Sequence, residues 1–368
     1  MSEKRAEAVI CTENLRKNYN LICRMASGAK VISVVKAEAY GHGATETCRV
    51  LQSEGCRIFA VATADEGLAL RQAGIESDIL ILGVTPVPQA GILAENGFIQ
   101  TVNSRSYAQS LDSQRTSAPV RVHIKIDTGM SRLGIYCHSA SQCDTAAEDV
   151  AFIHSLPNLR AEGIYTHFAC SDEPDDVMTP RQFESFRAVC AAAKERGVDV
   201  GMRHCCNSAA ILKYPQMHLD AVRAGILLYG LEPDGSDTHG LLPVMRVLAR
   251  VAQITELRPG DTVSYGAAFT AEREMRIATV SIGYADGIPR GLSQKAEVVI
   301  RGRRAPLIGR ICMDMCMADI TGIKDCEPGD EVEIFGGEVS VNELARRMGT
   351  INYELLCSVK NRVPRRYI

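Results

Sequence analysis

Val31-Ile32-Ser33-Val34-Val35-Lys36-Ala37-Glu38-Ala39-Tyr40-Gly41-His42-Gly43 is the stretch on which the fold turns. A short, largely β-branched run ends in a lysine and a glycine-punctuated segment, and an amphipathic stretch at 44–54 follows. An apolar strand run feeding a helix is the opening half of a βαβ unit, whose strand is buried on both faces. The pattern recurs at 59–62, 79–82, 98–102, 120–126, 161–166, 198–203 and 221–225. Intervening segments such as 64–73 and 182–196 place apolar residues at helical spacing. With the first run that makes eight, the number that closes a (β/α)8 TIM-like barrel. An open doubly wound sheet is the competing architecture, and the absence of Gly-x-Gly-x-x-Gly after the first run argues against it.

Outward from the barrel the texture changes. Glu232-Pro233-Asp234-Gly235-Ser236-Asp237 reads as a turn-rich linker, and beyond it alternation of period two dominates, at 247–254, 276–282, 296–300 and 331–335. One late helix is expected at 341–348, and residues 6–12 read as a strand outside the barrel count. The expected organisation is an α/β chain: an N-terminal strand at 1–12 associated with the C-terminal domain, a barrel at 13–235, and a mainly-β domain at 236–368.

Composition narrows the function classes. The 368 residues are 46% hydrophobic and 23% charged, which supports a sizeable core and rules out a disordered polymer, a coiled coil or a collagen-like rod. With 41 basic and 44 acidic residues the formal charge is −3, so no polyanion surface is implied and nucleic acid is not an expected partner. The 14 cysteines are scattered in apolar contexts and read as small buried hydrophobes, with no spacing that forms a metal site. The first residues lack an apolar signal core, and no run reaches the roughly 18–20 apolar residues of a spanning helix. A soluble protein of a reducing compartment, the cytoplasm, is the expectation.

Lys36 stands at the C-terminal end of a barrel strand, the face where barrel active sites form. Burial there depresses a lysine pKa and yields a neutral amine able to form a Schiff base or act as a base. Alone, the residue reads equally as a strand-end lysine reaching solvent.

It does not stand alone. Val35 through Gly43 closely resembles the cofactor-lysine signature of the alanine racemase family, pyridoxal 5′-phosphate enzymes built from a barrel and a β-domain. Further blocks follow in order: Lys125-Ile126-Asp127-Thr128-Gly129-Met130-Ser131-Arg132-Leu133-Gly134, Thr166-His167-Phe168, Asn207-Ser208-Ala209, Val222-Arg223-Ala224-Gly225-Ile226, Ser264-Tyr265-Gly266-Ala267, Gly283-Tyr284-Ala285-Asp286-Gly287, Gly309-Arg310-Ile311-Cys312-Met313-Asp314-Met315 and Arg362-Val363-Pro364-Arg365.

The resemblance implies a role for each block. Lys36 would hold the cofactor and serve as one base; Tyr265, contributed by the other subunit of a homodimer, would be the second base on the opposite face. A phenol titrates near ~10, and His167 and Arg223 match the residues that tune it. Arg223 would face the pyridine nitrogen; an arginine is always charged and only donates, so that nitrogen stays unprotonated, and side reactions are suppressed. Tyr40, Asn207, Ser208 and the N–H groups of Gly225 and Ile226 would hold the phosphate. Arg132 and Met313 would bind the substrate carboxylate, and Lys125 matches a position often carbamylated to orient that arginine. Asp172, Tyr284, Arg310 and Asp314 would line or support the substrate corridor.

Two departures from the family pattern stand out. Glu38 replaces the usual asparagine beside the cofactor lysine, where it would alter hydrogen bonding near the ring. Asn361 is read at the place of a tyrosine at the phosphate and inner gate, as in the racemase domains of membrane-bound serine racemases linked to vancomycin resistance, where a transmembrane domain precedes the racemase. The expectation is a racemase for both serine and alanine that supplies D-amino acids for peptidoglycan precursors, as a soluble relative or the cytosolic part of such a parent. The alternatives are an alanine racemase with little serine activity, and a non-catalytic pyridoxal-phosphate carrier, against which the long second domain argues. A basic amino-acid decarboxylase would want a carboxylate where Arg223 stands.

Overall fold

The computed structural model describes residues 4–368; residues 1–3 of the expected N-terminal segment lie outside the described residues. Strands Lys30–Val34, Ile58–Val61, Asp78–Ile81, Ile99–Val102, Val120–Asp127, Leu159–Tyr165, Met202–His204 and Ala221–Ala224 pair in parallel, each with its neighbour. The last pairs with the first, so the eight close into a barrel. A two-residue strand, Ile135–Tyr136, attaches to the far end of Val120–Asp127. The seventh strand starts later than expected because Gly201 takes φ +65° and donates to Asp199 in a turn.

Alternation along Val120–Asp127 explains how an apolar-looking strand serves a polar interior. Side chains point to opposite faces in turn, so Val122, Ile124 and Ile126 share one face while His123, Lys125 and Asp127 share the other; all six are buried.

The second domain is mainly β. The long strand Met245–Leu257 pairs antiparallel with Met275–Val280 on one side and Glu331–Phe335 on the other. Cys316–Asp319, Arg303–Ile308 and Glu297–Ile300 complete the circuit, giving a six-stranded antiparallel barrel. Both chain ends join it. Ala6–Ile10 pairs antiparallel with 245–249, and Arg365–Tyr367 adds parallel to Ala6–Ile10. The late helix runs Val341–Met348, capped by the Ser340 hydroxyl and stopped at Gly349 with φ +74°. A further helix, Asn352–Ser358, lies beyond the expected elements.

In the connecting segment, buried Glu232 accepts from Ser236 Oγ (2.7 Å), the Thr238 and His239 amides (2.6 and 2.9 Å) and His239 Nδ1 (2.8 Å). These donors hold its carboxyl down to about 2 against the opposing cost of burial.

Candidate active site

The segment Lys36–Tyr40 is not an ordinary helical turn. Ala37, Glu38, Ala39 and Tyr40 have φ between 52° and 54°, a left-handed turn of non-glycine residues. Each such residue costs roughly 1–2 kcal/mol, so the surroundings must impose it. Ala37 N–H donates to Glu66 Oε1 (2.7 Å), and Glu66 Oε2 also accepts from Ala62 N–H (2.7 Å). His42 Nδ1–H donates to the carbonyls of Ala39 (3.0 Å) and Tyr40 (3.1 Å). From the C-terminal tail, Arg365 Nε donates to Gly41 O (2.9 Å) and the Tyr367 hydroxyl to His42 O (3.1 Å). Gly41 is required twice over: φ is +82°, and a Cβ would collide with the Leu356 carbonyl.

This turn delivers Lys36 to the barrel mouth. Burial, and then the charges of Arg132 and Arg223, lower its pKa against the opposing pull of Cys357 and Glu66. Lys125 is buried and pushed down to about 8, by burial first and then by Arg132 and Arg223. Arg132 itself is exposed on the loop after the fifth strand, with no side-chain hydrogen bond among the described residues.

Buried Arg223 is held by its two terminal nitrogens. Nη1 donates to His204 Nδ1 (2.8 Å) and O (3.2 Å); Nη2 donates to the carbonyls of Thr166 (2.8 Å) and Cys205 (2.9 Å) and to His167 Nδ1 (3.2 Å). Nε is left without a partner among the described residues. Burial and the cation of Arg223 hold His167 well below the usual imidazole range, so it stays neutral.

A small polar cradle closes the other end. Gly225 N–H donates to Ser208 Oγ (3.0 Å), and a Cβ on Gly225 would lie 2.7 Å from Tyr40 Oη and 3.6 Å from Ser208 Oγ. Ile226 begins the 3-10 turn Ile226–Tyr229. The Tyr40 ring lies against the rings of Tyr229 (centroids 4.9 Å apart, tilted by 35°) and Tyr353 (6.0 Å, tilted by 48°). A phenol, a hydroxyl and an amide converging where a side chain cannot fit suit a phosphate, and the unused Arg223 Nε–H suits a ring nitrogen. The residues therefore fit pyridoxal 5′-phosphate.

Three expectations are corrected or reassigned. Asn361 is an exposed turn residue with no side-chain hydrogen bond among the described residues; in the helix before it, Tyr353 packs on Tyr40, as Tyr229 does from the barrel. Glu38 does not disturb the ring site: it is exposed and its carboxylate accepts from Ala44 N–H (3.2 Å) at the start of the next helix. Asn207 uses its side chain as a helix cap, accepting from Ala210 N–H (3.0 Å) and Ser171 Oγ (2.9 Å).

The second-domain residues sit apart from the mouth. Tyr265 is 72% exposed on a turn with positive φ at Ser264, Gly266 and Ala267. Ser264 Oγ donates to Arg310 O (2.7 Å), and Tyr284 and Ala285 N–H donate to the carbonyls of Cys312 and Met313. Tyr265, Tyr284, Met313 and Met315 are all exposed, on segments that these bonds and the Cys312–Met315 backbone bond tie together. Asp314 pairs with Arg362 (2.8 Å), which also reaches buried Asp286. Asp172 is exposed, its carbonyl accepting from Lys213 (2.8 Å). Among the described residues no hydrogen bond joins 264–267 to the barrel.

Sequence reasoning missed His204, His123, Glu66 and Tyr353. The signal for His123 was present: polar residues at alternate positions of an apolar strand mark one polar face.

Comparison with known proteins matches these two units separately. The model for the alanine racemase N-terminal domain covers residues 10–233, and that for the C-terminal domain covers 244–367. The chain belongs to the alanine racemase family. Membership makes it an isomerase of a family that uses pyridoxal 5′-phosphate. An alanine racemase of Desulfovibrio desulfuricans is 44% identical over 360 residues, 96% of this chain and 95% of that protein. The alanine racemase structure from Clostridium difficile 630 superposes with a TM-score of 0.93 at 37% identity, covering 100% of this chain and 97% of that one. A Bacillus anthracis alanine racemase described with bound L-Ala-P superposes at 0.91 and 33% identity, covering 100% and 96%. These relatives are named alanine racemases rather than serine racemases. No helix among the described residues is long and apolar enough to cross a membrane.

Proposed function

We propose that the chain interconverts L- and D-alanine, using pyridoxal 5′-phosphate and two bases on opposite faces of the substrate. The observation that carries this is the barrel mouth itself, where a lysine of lowered pKa, a donor-only arginine with one unused N–H and a side-chain-free polar cradle converge. When bound, the cofactor acidifies the substrate α-proton. Lys36 binds the cofactor and moves a proton at one face, its amine favoured by burial. Tyr40, Ser208 and the amides of Gly225 and Ile226 hold the phosphate, and Arg223 Nε orients the ring. Arg132 receives the substrate carboxylate. A partly neutral Lys125 is the form that carbon dioxide adds to, which would turn its charge toward Arg132.

Tyr265 is the second base, supplied by a second copy of the chain together with Met313. An exposed tyrosine in a domain that also exposes Tyr284, Met313 and Met315 is what an incomplete interface presents. Tyr284, Arg310, Asp314 and Asp172 border the approach. The product D-alanine suits peptidoglycan precursors.

Serine as a second substrate, and with it vancomycin resistance, rested on Asn361 and has no support from an exposed turn residue. The test is chiral analysis after incubating the cofactor-loaded protein with L-alanine and with L-serine, side by side. The expected result is racemic alanine with much slower serine turnover. Bound cofactor without exchange of the α-proton of either substrate would overturn the proposal.

A further inference from the structure

A line of buried side chains continues from Arg223 down the barrel interior, away from the mouth. Arg223 Nη1 lies 2.8 Å from His204 Nδ1, and His204 Nε2 lies 2.9 Å from His123 Nδ1. The protonation pattern follows from chemistry. An arginine only donates, so His204 Nδ1 must accept. The His204 proton then sits on Nε2 and is donated to His123 Nδ1, which leaves the His123 proton on its own Nε2. Both rings must be neutral, because a second proton on either would set N–H against N–H. Burial supports this, holding His123 down to about 4 and His204 well below the usual range.

Packing fixes the two rings. His204 stacks on Tyr165 with centroids 4.7 Å apart and planes within 6°. Tyr165 is anchored by its hydroxyl to Thr101 Oγ1 at 2.8 Å. The space for His123 is kept by Gly163, where a Cβ would lie 2.7 Å from His123 Nε2. Neither ring can turn to offer its other nitrogen without losing these contacts.

We propose that His123 is a positioning residue for the racemase site: by accepting from His204 Nε2–H it supports the tautomer that Arg223 requires, and through that tautomer it helps to hold the Arg223 guanidinium with Nε toward the cofactor ring. This rests on the proposed function for its consequence, though not for its geometry. Without the acceptor at 123, the Nε2–H tautomer that Arg223 requires carries a buried unpaired donor, and the balance shifts toward the Nδ1–H tautomer. His204 then opposes Arg223 instead of receiving it.

The test compares His123→Asn, whose side-chain carbonyl can replace the accepting nitrogen, with His123→Leu, which cannot. In the cofactor-loaded protein, ring-nitrogen NMR of labelled histidine should report Nε2–H for both His204 and His123. His123→Leu should move His204 toward Nδ1–H, shift the visible band of the bound cofactor and weaken cofactor binding about tenfold, ~1.4 kcal/mol. His123→Asn should retain the band and most of the affinity. An Nδ1–H His204 in the unsubstituted protein would overturn the proposal, even were both variants unable to fold. So would equal losses in Asn and Leu, which mark a packing role. Correct tautomers in a protein that racemises nothing would count against the proposed activity and leave the His123 assignment standing.

Discussion

Lys36 and Tyr265 are both presented by left-handed backbone, and the two turns are finished in opposite ways. The Lys36 turn is held by Glu66, His42, Arg365 and Tyr367, from the barrel and from the C-terminal tail alike. The Tyr265 turn has its local bonds to Arg310 and Ser264, and its phenol faces solvent. A strained conformation persists only where its surroundings over-determine it. The Lys36 turn is therefore locked by its own chain, while the Tyr265 turn leaves its phenol displayed.

The largest effect should come from the locked side. Lys36→Ala should abolish racemisation in both directions, a loss on the order of ~10²–10⁴-fold or more for a group that moves the proton. Borohydride treatment of the loaded protein should attach the cofactor to Lys36 in the parent and nowhere in the variant. Substantial turnover by Lys36→Ala would remove the distinction between the two turns.

Next in size is the displayed side. Tyr265→Ala should impair proton removal from one enantiomer more than from the other, read as unequal loss of α-hydrogen exchange starting from L- and from D-alanine. Mixed with Lys36→Ala protomers, it should regain one working site per heterodimer, because each protomer supplies what the other lacks. Demonstrated heterodimers without regained activity would place both bases in one subunit.

How much of this was legible before the structure differs between the same two regions. The barrel strands were readable because parallel strands buried on both faces spell continuous apolar runs with helical segments between. The strand at 303–308 was not, since Arg303, Arg304 and Pro306 read as loop, and its role comes from pairing with 297–300 and 316–319. The left-handed turn was invisible because Ala-Glu-Ala-Tyr is ordinary helical sequence; distant residues impose its geometry. The Tyr265 phenol was legible as a candidate from its Ser-Tyr-Gly-Ala block, but its exposure was not. Asn361 was read in the place of an inner-gate tyrosine, as counting back from Arg362-Val363-Pro364-Arg365 says nothing about which face of the preceding helix meets Tyr40.

A subtler probe of the locked turn is Glu66. Its carboxylate binds two backbone amides, at 2.7 Å each, and raises the Lys36 pKa against the larger effect of burial. Glu66→Gln keeps one accepting oxygen, replaces the other by an amide nitrogen that cannot accept, and removes the charge. The ammonium then loses a stabilising neighbour, so the Lys36 pKa falls further and the limb of the rate–pH profile that rises as the amine deprotonates should move to lower pH. Hydrogen bonds to charged groups contribute about 1.5–3 kcal/mol, so Glu66→Ala should cost about tenfold or more in kcat. A limb that moves upward, or stays in place, would remove Glu66 from the support of Lys36.

The smallest effect is expected at Asn361. Selecting serine requires a partner for its hydroxyl, since leaving it unpaired costs ~1–3 kcal/mol and a satisfied neutral bond contributes ~0.5–1.5 kcal/mol. Asn361 is exposed on the turn beside Arg362, whose guanidinium is taken by Asp286 and Asp314, so it belongs to the outer, displayed region. Tyr353 is half-buried against Tyr40 and belongs to the locked one. Exposed substitutions usually change stability by less than ~0.5 kcal/mol, and a contribution of that size corresponds to about twofold in a rate ratio. Asn361→Tyr should accordingly leave the serine-to-alanine ratio of kcat/KM within about twofold. Tyr353→Asn should change it by more, because shortening the ring that packs on Tyr40 opens space at the cofactor end and brings an amide that can donate and accept. A tenfold change from Asn361→Tyr with none from Tyr353→Asn would put the selective contact on the displayed surface and reverse the comparison between the two regions.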